Sequence, residues 1–151
     1  MDAVTYPDKA VIGFISNHII PLRVPYDHQP LAQEFKVHWT PTLVSLDLDG
    51  KEHHRTLGFL PPEELIPSLM LGIGKTYFDL GQFAEAIEIL DKVVTEHARS
   101  DSAPQAIYFR GVAQYKHTHD PKKLRLAYDR LAADFPNDEW AKRARPYSLI
   151  T

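Results

Sequence analysis

The chain has 151 residues, a formal net charge of −3, 44% hydrophobic and 25% charged residues, and no cysteine. This length suits one domain or two very small ones, and the composition is typical of a folded globular protein. Acidic residues outnumber basic ones, which argues against a nucleic acid partner, and no stretch approaches the ~20 apolar residues of a membrane span. The lack of cysteine excludes disulfides and thiolate chemistry within this chain.

The first half of the chain predicts a mixed α/β arrangement. In chain order its patterns predict a helix over 8–17, a strand over Ile19–Val24, a short helix over Gln29–Phe35, a strand over Thr42–Leu48, a turn at Asp49–Gly50, a return strand over 52–59 and a helix opening at Pro62. The Asp-Gly pair between two apolar runs is a strong hairpin signal, and proline followed by acidic residues is typical of a helix start.

The composition changes near residue 67, and the second half predicts helices only. Apolar spacing from Leu71 to Val94 predicts two amphipathic helices broken near Gly81. A capping box at Ser102–Gln105 and a cap at Asp120 predict the starts of a second pair. A short helix around Trp140 follows. The expected fold class is therefore a partial α/β layer over 1–71, followed by an all-α part over 72–151.

The helical half carries an internal likeness. The Gly74–Tyr77–Gly81–Phe83–Ala86–Leu90 pattern resembles a tetratricopeptide repeat, and a looser second copy follows 38 residues later, with Val112 where a small residue is expected. Gly72 and Gly74 are expected to allow close helix packing. Two repeats alone bury little, so the Trp140 helix and the α/β half are expected to cover the two ends.

The stretch EFKVHWTPTLVSLDLDGKEHHRTLGFLPPEEL, residues 34–65, resembles the C-terminal half of a thioredoxin domain. The likeness covers about residues 1–71. It implies that Pro41 is the family's cis-proline and that Thr40 offers its backbone to an extended substrate. Trp39 would then stand at the rim of the substrate groove as a binding anchor. Local sequence alone favours a trans proline at the start of a strand.

The same resemblance implies a Cys-x-x-Cys unit on a strand and helix before these residues. In the family, that strand lies between the strands that match Ile19–Val24 and Thr42–Leu48. Its absence predicts either that these two strands close up or that another chain fills the gap, with a homodimer through the exposed sheet edge as the expected assembly. We also expect Met1 to be an internal methionine of a longer protein. No signal peptide is visible, so a cytoplasmic location is the default expectation.

Candidate partner-binding residues are Trp39, Thr40, Pro41, Tyr77, Tyr108 and Tyr115. The helical spacing of the three tyrosines is typical of core residues, whereas the repeat likeness would also place such residues on a concave face that holds peptides. No catalytic residue, metal or cofactor is predicted. In particular, the adjacent His53 and His54 should point to opposite faces of a strand and so not share an ion.

These patterns favour a non-enzymatic module that binds other proteins or peptides, possessing thioredoxin-like and repeat-like parts, with a chaperone or redox association. The alternative is a fragment of a thiol–disulfide oxidoreductase whose Cys-x-x-Cys lies upstream of Met1. A third interpretation is a plain helical scaffold. Because the chain as given has no thiol, we expect it to have no disulfide reductase activity of its own.

Overall fold

Seven α-helices and one β-hairpin make up the computed structural model, which describes residues 1–151. The elements are α1 Lys9–His18, α2 Leu31–Glu34, β1 Thr42–Leu46, β2 Glu52–Leu57, α3 Pro62–Asp79, α4 Phe83–Glu96, α5 Ala103–Thr118, α6 Lys122–Asp134 and α7 Glu139–Ala144, followed by a 3₁₀ turn, Arg145–Leu149. The predicted fold class, a small α/β layer followed by an all-helical part, is confirmed. None of the helices combines the length and the apolar character needed to cross a membrane.

The N-terminal segment is stabilised by a helix cap and by a buried hydrogen bond. Asp8 caps α1, and its carboxylate accepts hydrogen bonds from the backbone N–H groups of Ala10 and Val11. Such a cap satisfies donors that have no partner within the helix. Val11 is completely buried, and the hydroxyl of buried Thr5 donates to the carbonyl of Leu60 at 2.6 Å. The Thr5–Leu60 bond and the packing of α1 against α3 attach this segment to the rest of the chain.

The hairpin of β1 and β2 is antiparallel and contains a bulge. Asp47 accepts hydrogen bonds from the N–H groups of Asp49 and Lys51, which closes the turn, and Gly50 adopts a left-handed φ of +79°. Ser45 pairs with His54, but Leu46 pairs with Glu52. His53 is therefore the extra residue of β2, and a bulge of this kind twists the strand and redirects side chains.

The strand predicted over Ile19–Val24 is not formed. The segment is irregular, and the side chains of Ile20 and Leu22 are 90% and 80% exposed. A strand requires a neighbour to bond its backbone groups, and the sheet contains only β1 and β2. The two predicted strands have not closed up on each other, and β1 keeps one open edge.

Helices α3 to α7 enclose the main hydrophobic core. Its thirteen buried residues are Met70, Leu71, Ala86, Leu90, Val93, Val94, Ala106, Ile107, Ala113, Ala127, Leu131, Ala141 and Ala144. Helices α3 and α4 form one antiparallel pair and α5 and α6 a second, with α5 packed against both α4 and α6. Successive helical pairs of this kind bury a continuous core between them.

Glycines mark the close contacts inside each pair. A Cβ at Gly74 would meet Leu90 Cγ at 2.7 Å, and a Cβ at Gly111 would collide with the Cβ of Ala127. The two glycines are 37 residues apart, as are Leu90 and Ala127. The internal spacing at the helix contact is thus 37 rather than the expected 38, and the small residue of the second pair is Gly111, beside Val112.

The two caps predicted for the starts of α5 and α6 have different outcomes. Ser102 has a helical backbone (φ −79°, ψ −19°) and its side chain makes no capping bond, so the predicted capping box is wrong. A cap requires extended backbone at that residue to aim its oxygen at the helix. Asp120 does accept a hydrogen bond from the N–H of Lys122, as predicted.

Helix α3 runs continuously through residues 71 and 72, where the sequence predicts the boundary between the two parts of the chain. That division into 1–71 and 72–151 stays a prediction.

The contact at Gly111 yields a stability prediction. We expect Gly111→Ala to lower the free energy of unfolding by about 1–3 kcal/mol, because the added methyl group meets Ala127, which has no flexible side chain to move away. Gly13→Ala in α1 is the matched control, since a Cβ there meets no atom within 4 Å. We expect the control to gain about 0.5–1 kcal/mol from helix propensity alone. Urea unfolding measures both, and equal stabilisation of both variants would contradict the close contact.

Candidate functional site

Helix α3 lies between the hairpin and the other helices. A Cβ at Gly72 would collide with Ser45 Oγ of β1, whereas a Cβ at Gly74 would meet Leu90 of α4. Residues two apart on a helix point about 200° apart, so these two glycines serve opposite sides of α3. The expected close helix packing is therefore found at Gly74, but Gly72 faces the hairpin instead.

A buried histidine ties the hairpin to the end of α3. The side chain of His53 is 0% exposed, and both of its ring nitrogens contact carboxylates. Nε2 lies 2.8 Å from Asp47 Oδ2 in the hairpin turn, and Nδ1 lies 2.6 Å from Asp79 Oδ2 at the end of α3. Ionised carboxylates only accept hydrogen bonds, so both ring nitrogens donate and the ring is an imidazolium. This Asp47–His53–Asp79 group links the hairpin to α3 through a buried side chain.

The pKa values agree with that assignment. Burial by itself lowers the pKa of His53, but the hydrogen bonds from its ring to Asp47 and Asp79 outweigh burial and raise the pKa above 6.5. The His53 hydrogen bond, together with that from the Lys51 backbone, lowers the pKa of Asp47. Charge pairing of this kind favours the protonated form of the buried ring.

The neighbouring His54 also faces α3. Its Nδ1 lies 3.4 Å from Nζ of Lys75, so the expectation that the two histidines point to opposite faces is wrong. The bulge at His53 interrupts the strict alternation of β2 and turns both rings toward the same helix. Burial and then the charge of Lys75 lower the pKa of His54 to about 4, so His54 is neutral at pH 7 and Nδ1 accepts from the ammonium.

A hydrogen-bonded chain orients that ammonium. With Nδ1 of His54 accepting, Nε2 carries the proton and faces the Thr56 hydroxyl at 3.3 Å, and Thr56 bonds Ser68 of α3 at 2.9 Å. Lys75 Nζ also lies 5.5 Å from the centroid of the Phe109 ring. Burial lowers the pKa of Lys75. The amine thus contacts an aromatic face and a neutral imidazole and makes no salt bridge, although the charges of Asp79 and Glu52 act to raise its pKa.

Lys75 lies in a cleft of about 490 Å³ between the hairpin and the helices. Its walls include Glu52, His54 and Arg55 of β2, Lys75 of α3, Gln105 of α5 and Trp140 of α7. Nearly all of these side chains are polar. Across the whole chain, no three of the His, Asp and Glu side chains come together in an arrangement that could hold a metal ion.

The predicted Trp39–Thr40–Pro41 group lies on a different surface. Trp39 is 66% exposed, and with Thr40, Val37 and His38 it lines a cleft of about 460 Å³. Tyr26, 72% exposed, forms part of the same cleft. The Thr42 hydroxyl donates to the Trp39 carbonyl at 2.5 Å, which fixes the loop just before β1. The Thr40–Pro41 peptide bond is cis, as is Gln29–Pro30.

The three predicted tyrosines are not gathered at that surface. Tyr77 and Tyr108 are partly buried and pack against the helical core, and the Tyr108 hydroxyl lies 3.1 Å from that of Tyr147. Tyr115 is 37% exposed on α5. Of the predicted residues, Trp39 and Thr40 line one cleft, whereas Tyr77 and Tyr108 pack against the helical core and Tyr115 is exposed on α5.

Sequence reasoning did not identify Asp79, Lys75 or Tyr26. The Asp-Gly turn predicts a hairpin in which Asp47 and His53 lie close together. The Asp47–His53 contact could therefore have been predicted from the sequence. The contact with Asp79 is 26 residues away in sequence and depends on the bulge, for which the sequence carries no separate signal.

The Asp47–His53–Asp79 group predicts a loss of stability at alkaline pH. In the unfolded chain His53 loses its proton near pH 6.5, whereas in the folded chain its raised pKa retains the proton to higher pH. Its contribution is therefore complete below about pH 6.5 and falls as pH rises through the raised pKa. We expect Asp79→Asn to reduce this slope, measured as the urea midpoint between about pH 7 and 9, because a neutral amide no longer favours the imidazolium.

Asp134→Asn is the control for this measurement, since Asp134 pairs only with Arg130 in an exposed salt bridge. It should leave the slope between about pH 7 and 9 unchanged. An Asp79→Asn slope equal to that of the parent would contradict a charged His53.

Comparison with known proteins addresses the N-terminal part of the chain. Residues 4–71 match the family model described as the thioredoxin-like domain. No curated protein and no solved structure gives a significant match to the chain. The matched residues end within α3 and include both strands, the Trp39–Pro41 loop and the first helices. Residues 4–71 are therefore thioredoxin-like, and the helices that continue from α3 lie outside the match.

Proposed function

We propose that the protein is a non-enzymatic interaction module that binds an extended segment of another polypeptide at the Trp39 surface. This surface consists of the cleft formed by Tyr26, Val37, His38, Trp39 and Thr40. The observation that carries the proposal is the exposure of Trp39 and Tyr26 together in this cleft, with Trp39 lying three residues of chain before β1 begins at Thr42. Large aromatic side chains at a surface cleft are the residues that most often dominate binding energy.

The backbone of β1 supports an extended ligand. The Pro41 carbonyl accepts from Gly58 and the Asp47 N–H donates to Lys51, so both of these residues bond across to the β2 side. Along an antiparallel strand, alternate residues turn their backbone groups the other way. The N–H and C=O groups of Thr42, Val44 and Leu46 therefore point to the open edge, where an added strand would bond them.

The helical part supports a scaffold role in this proposal. Two successive helical pairs share the Gly74–Leu90 and Gly111–Ala127 contacts at a constant spacing, which favours a tetratricopeptide-like array. Tyr115, with 37% of its side chain exposed, is the predicted tyrosine most available to a partner on that part. A chaperone-like role belongs to the same proposal, because exposed apolar side chains next to an open strand edge suit unfolded clients.

A redox role is the second candidate, and the thioredoxin-like match is the observation that favours it. The chain contains no cysteine, so it holds no thiolate that attacks a disulfide. In this version of the proposal, the Trp39 surface binds the polypeptide while thiol chemistry is supplied by residues outside the sequence given. Both candidates therefore assign the same binding task to Trp39.

Binding of an unfolded polypeptide tests the proposal. The probe is carboxymethylated α-lactalbumin, which is permanently unfolded, and fluorescence anisotropy measures its dissociation constant. We expect Trp39→Ala to weaken binding about tenfold or more, because truncating an exposed aromatic anchor typically costs over 1 kcal/mol. Leu126→Ala is the matched control, since Leu126 is 60% exposed but lies on α6. Equal losses in both variants, or no binding by the parent chain, would overturn the proposal.

A second copy of the chain is another ligand proposed for the open edge. Unpaired strand edges favour association with an identical edge, which gives a two-fold symmetric dimer. We expect light scattering over a range of concentrations to show dimers that dissociate on dilution. A monomeric mass at every concentration would contradict the dimer and leave the edge to other polypeptides.

A further inference from the structure

The amine of Lys75 lines the cleft between the hairpin and the helices without a salt bridge of its own. Its side chain is partly buried. The two carboxylates whose charges act on it, those of Asp79 and Glu52, form their salt bridges with His53 and Arg55. The amine is therefore partly withdrawn from solvent and has no carboxylate in direct contact with its nitrogen.

The groups that do contact this nitrogen are uncharged. Nδ1 of His54 lies 3.4 Å from Nζ, and the centroid of the Phe109 ring lies 5.5 Å from it. The far side of the imidazole is held in place, because Nε2 lies 3.3 Å from the Thr56 hydroxyl, which bonds Ser68 at 2.9 Å. A nitrogen beside a partner that a third group orients is an arrangement in which proteins position a nucleophile.

Burial also favours the neutral form of this amine. It lowers the pKa of Lys75 below 10.5, although the charges of Asp79 and Glu52 act in the opposite direction. Only the neutral amine has the lone pair that attacks a carbonyl carbon, and desolvated lysines are those that form imines in proteins. At a given pH, Lys75 therefore has a larger neutral fraction than a lysine in free solvent.

We propose that Lys75 is a covalent modification site at which a small polar aldehyde forms an imine. The lone pair of Nζ bonds the carbonyl carbon, the nitrogen gives up both of its hydrogens, and the carbonyl oxygen leaves with them as water. A cleft of about 490 Å³ with largely polar walls admits such a molecule beside the amine. The reaction uses no residue of the Trp39 surface and goes beyond the polypeptide binding proposed above.

Trapping with a limiting amount of aldehyde tests this site on the full chain. The probe is glycolaldehyde, borohydride then reduces each imine to a stable amine, and peptide mass spectrometry measures the label at each lysine. Lys116 is the internal control, because it also lies over an aromatic ring, that of Phe83 at 6.0 Å, but is exposed and outside the cleft. Near neutral pH we expect about fivefold more label at Lys75 than at Lys116, since only the neutral amine reacts.

The pH dependence separates a reactive amine from a merely accessible one. We expect the label at Lys75 to reach half of its maximum below pH 10.5, the ordinary pKa of a lysine. A half-maximum at or above that pH, or equal labelling of Lys75 and Lys116 near neutral pH, would overturn the proposal. Both measurements use the parent chain and so do not depend on the folding of a variant.

Two variants of His54 test whether the uncharged partner matters. His54→Glu places a carboxylate beside Nζ, so we expect the label at Lys75 to fall about fivefold or more and its half-maximum to move to higher pH. His54→Gln keeps a neutral acceptor and should retain the label within about twofold. Circular dichroism and the melting temperature check that both variants fold. Equal labelling of Lys75 in two folded variants would contradict the role given to His54 and overturn the proposal.

Discussion

The two-sided packing of α3 is the constraint on which the rest of the structure depends. One side of this helix must lie against β1 and β2, and the other against α4 and α5. Gly72 allows the first approach and Gly74 the second, because neither position has room for a Cβ. A helix with large side chains at both positions would have to move away from one layer, and the two layers would lose their common wall.

The same packing decides the charges at the junction. Asp79 lies seven residues after Gly72, on the side of α3 that faces the hairpin. There it meets His53 rather than Lys75, and the buried imidazolium holds it. A histidine in this position does two things: it satisfies two carboxylates from different layers, and it leaves the nearby lysine without its usual partner.

The sequence predicted those helices and turns that are determined by a few neighbouring residues. The Asp-Gly turn, the proline-opened α3 and the four later helices were readable because caps, turns and apolar spacing act within a few residues. The strand over Ile19–Val24 was predicted from its apolar run, but a strand exists only when a neighbour bonds it, and that neighbour is not part of the sheet. Ile20 and Leu22 of this segment instead lie exposed.

The residues of the candidate sites likewise include some that the sequence predicted and others that depend on tertiary contacts. Trp39 and Thr40 were predicted as binding residues from the resemblance to a thioredoxin domain, and they do line one cleft. Tyr26 also lines this cleft, but it lies in a segment with no regular structure and was not predicted. The His53–Asp79 contact was missed because it depends on a bulge that turns two adjacent histidines toward one helix. Likewise Gly111, and not Val112, makes the close contact of the second helical pair, since contact is decided by the angle around the helix and not by a fixed repeat length.

The thioredoxin-like part has little core of its own, and this bears on the binding proposed for it. The thirteen-residue core belongs to α3 through α7, whereas the hairpin and α1 are anchored mainly through Val11, Thr5, Leu65 and the buried His53. A layer this small is stable chiefly because it shares α3 with the larger helical core. In the proposed function, a polypeptide added at the exposed apolar residues and the open strand edge would supply burial that the layer lacks, so its binding would also stabilise the hairpin.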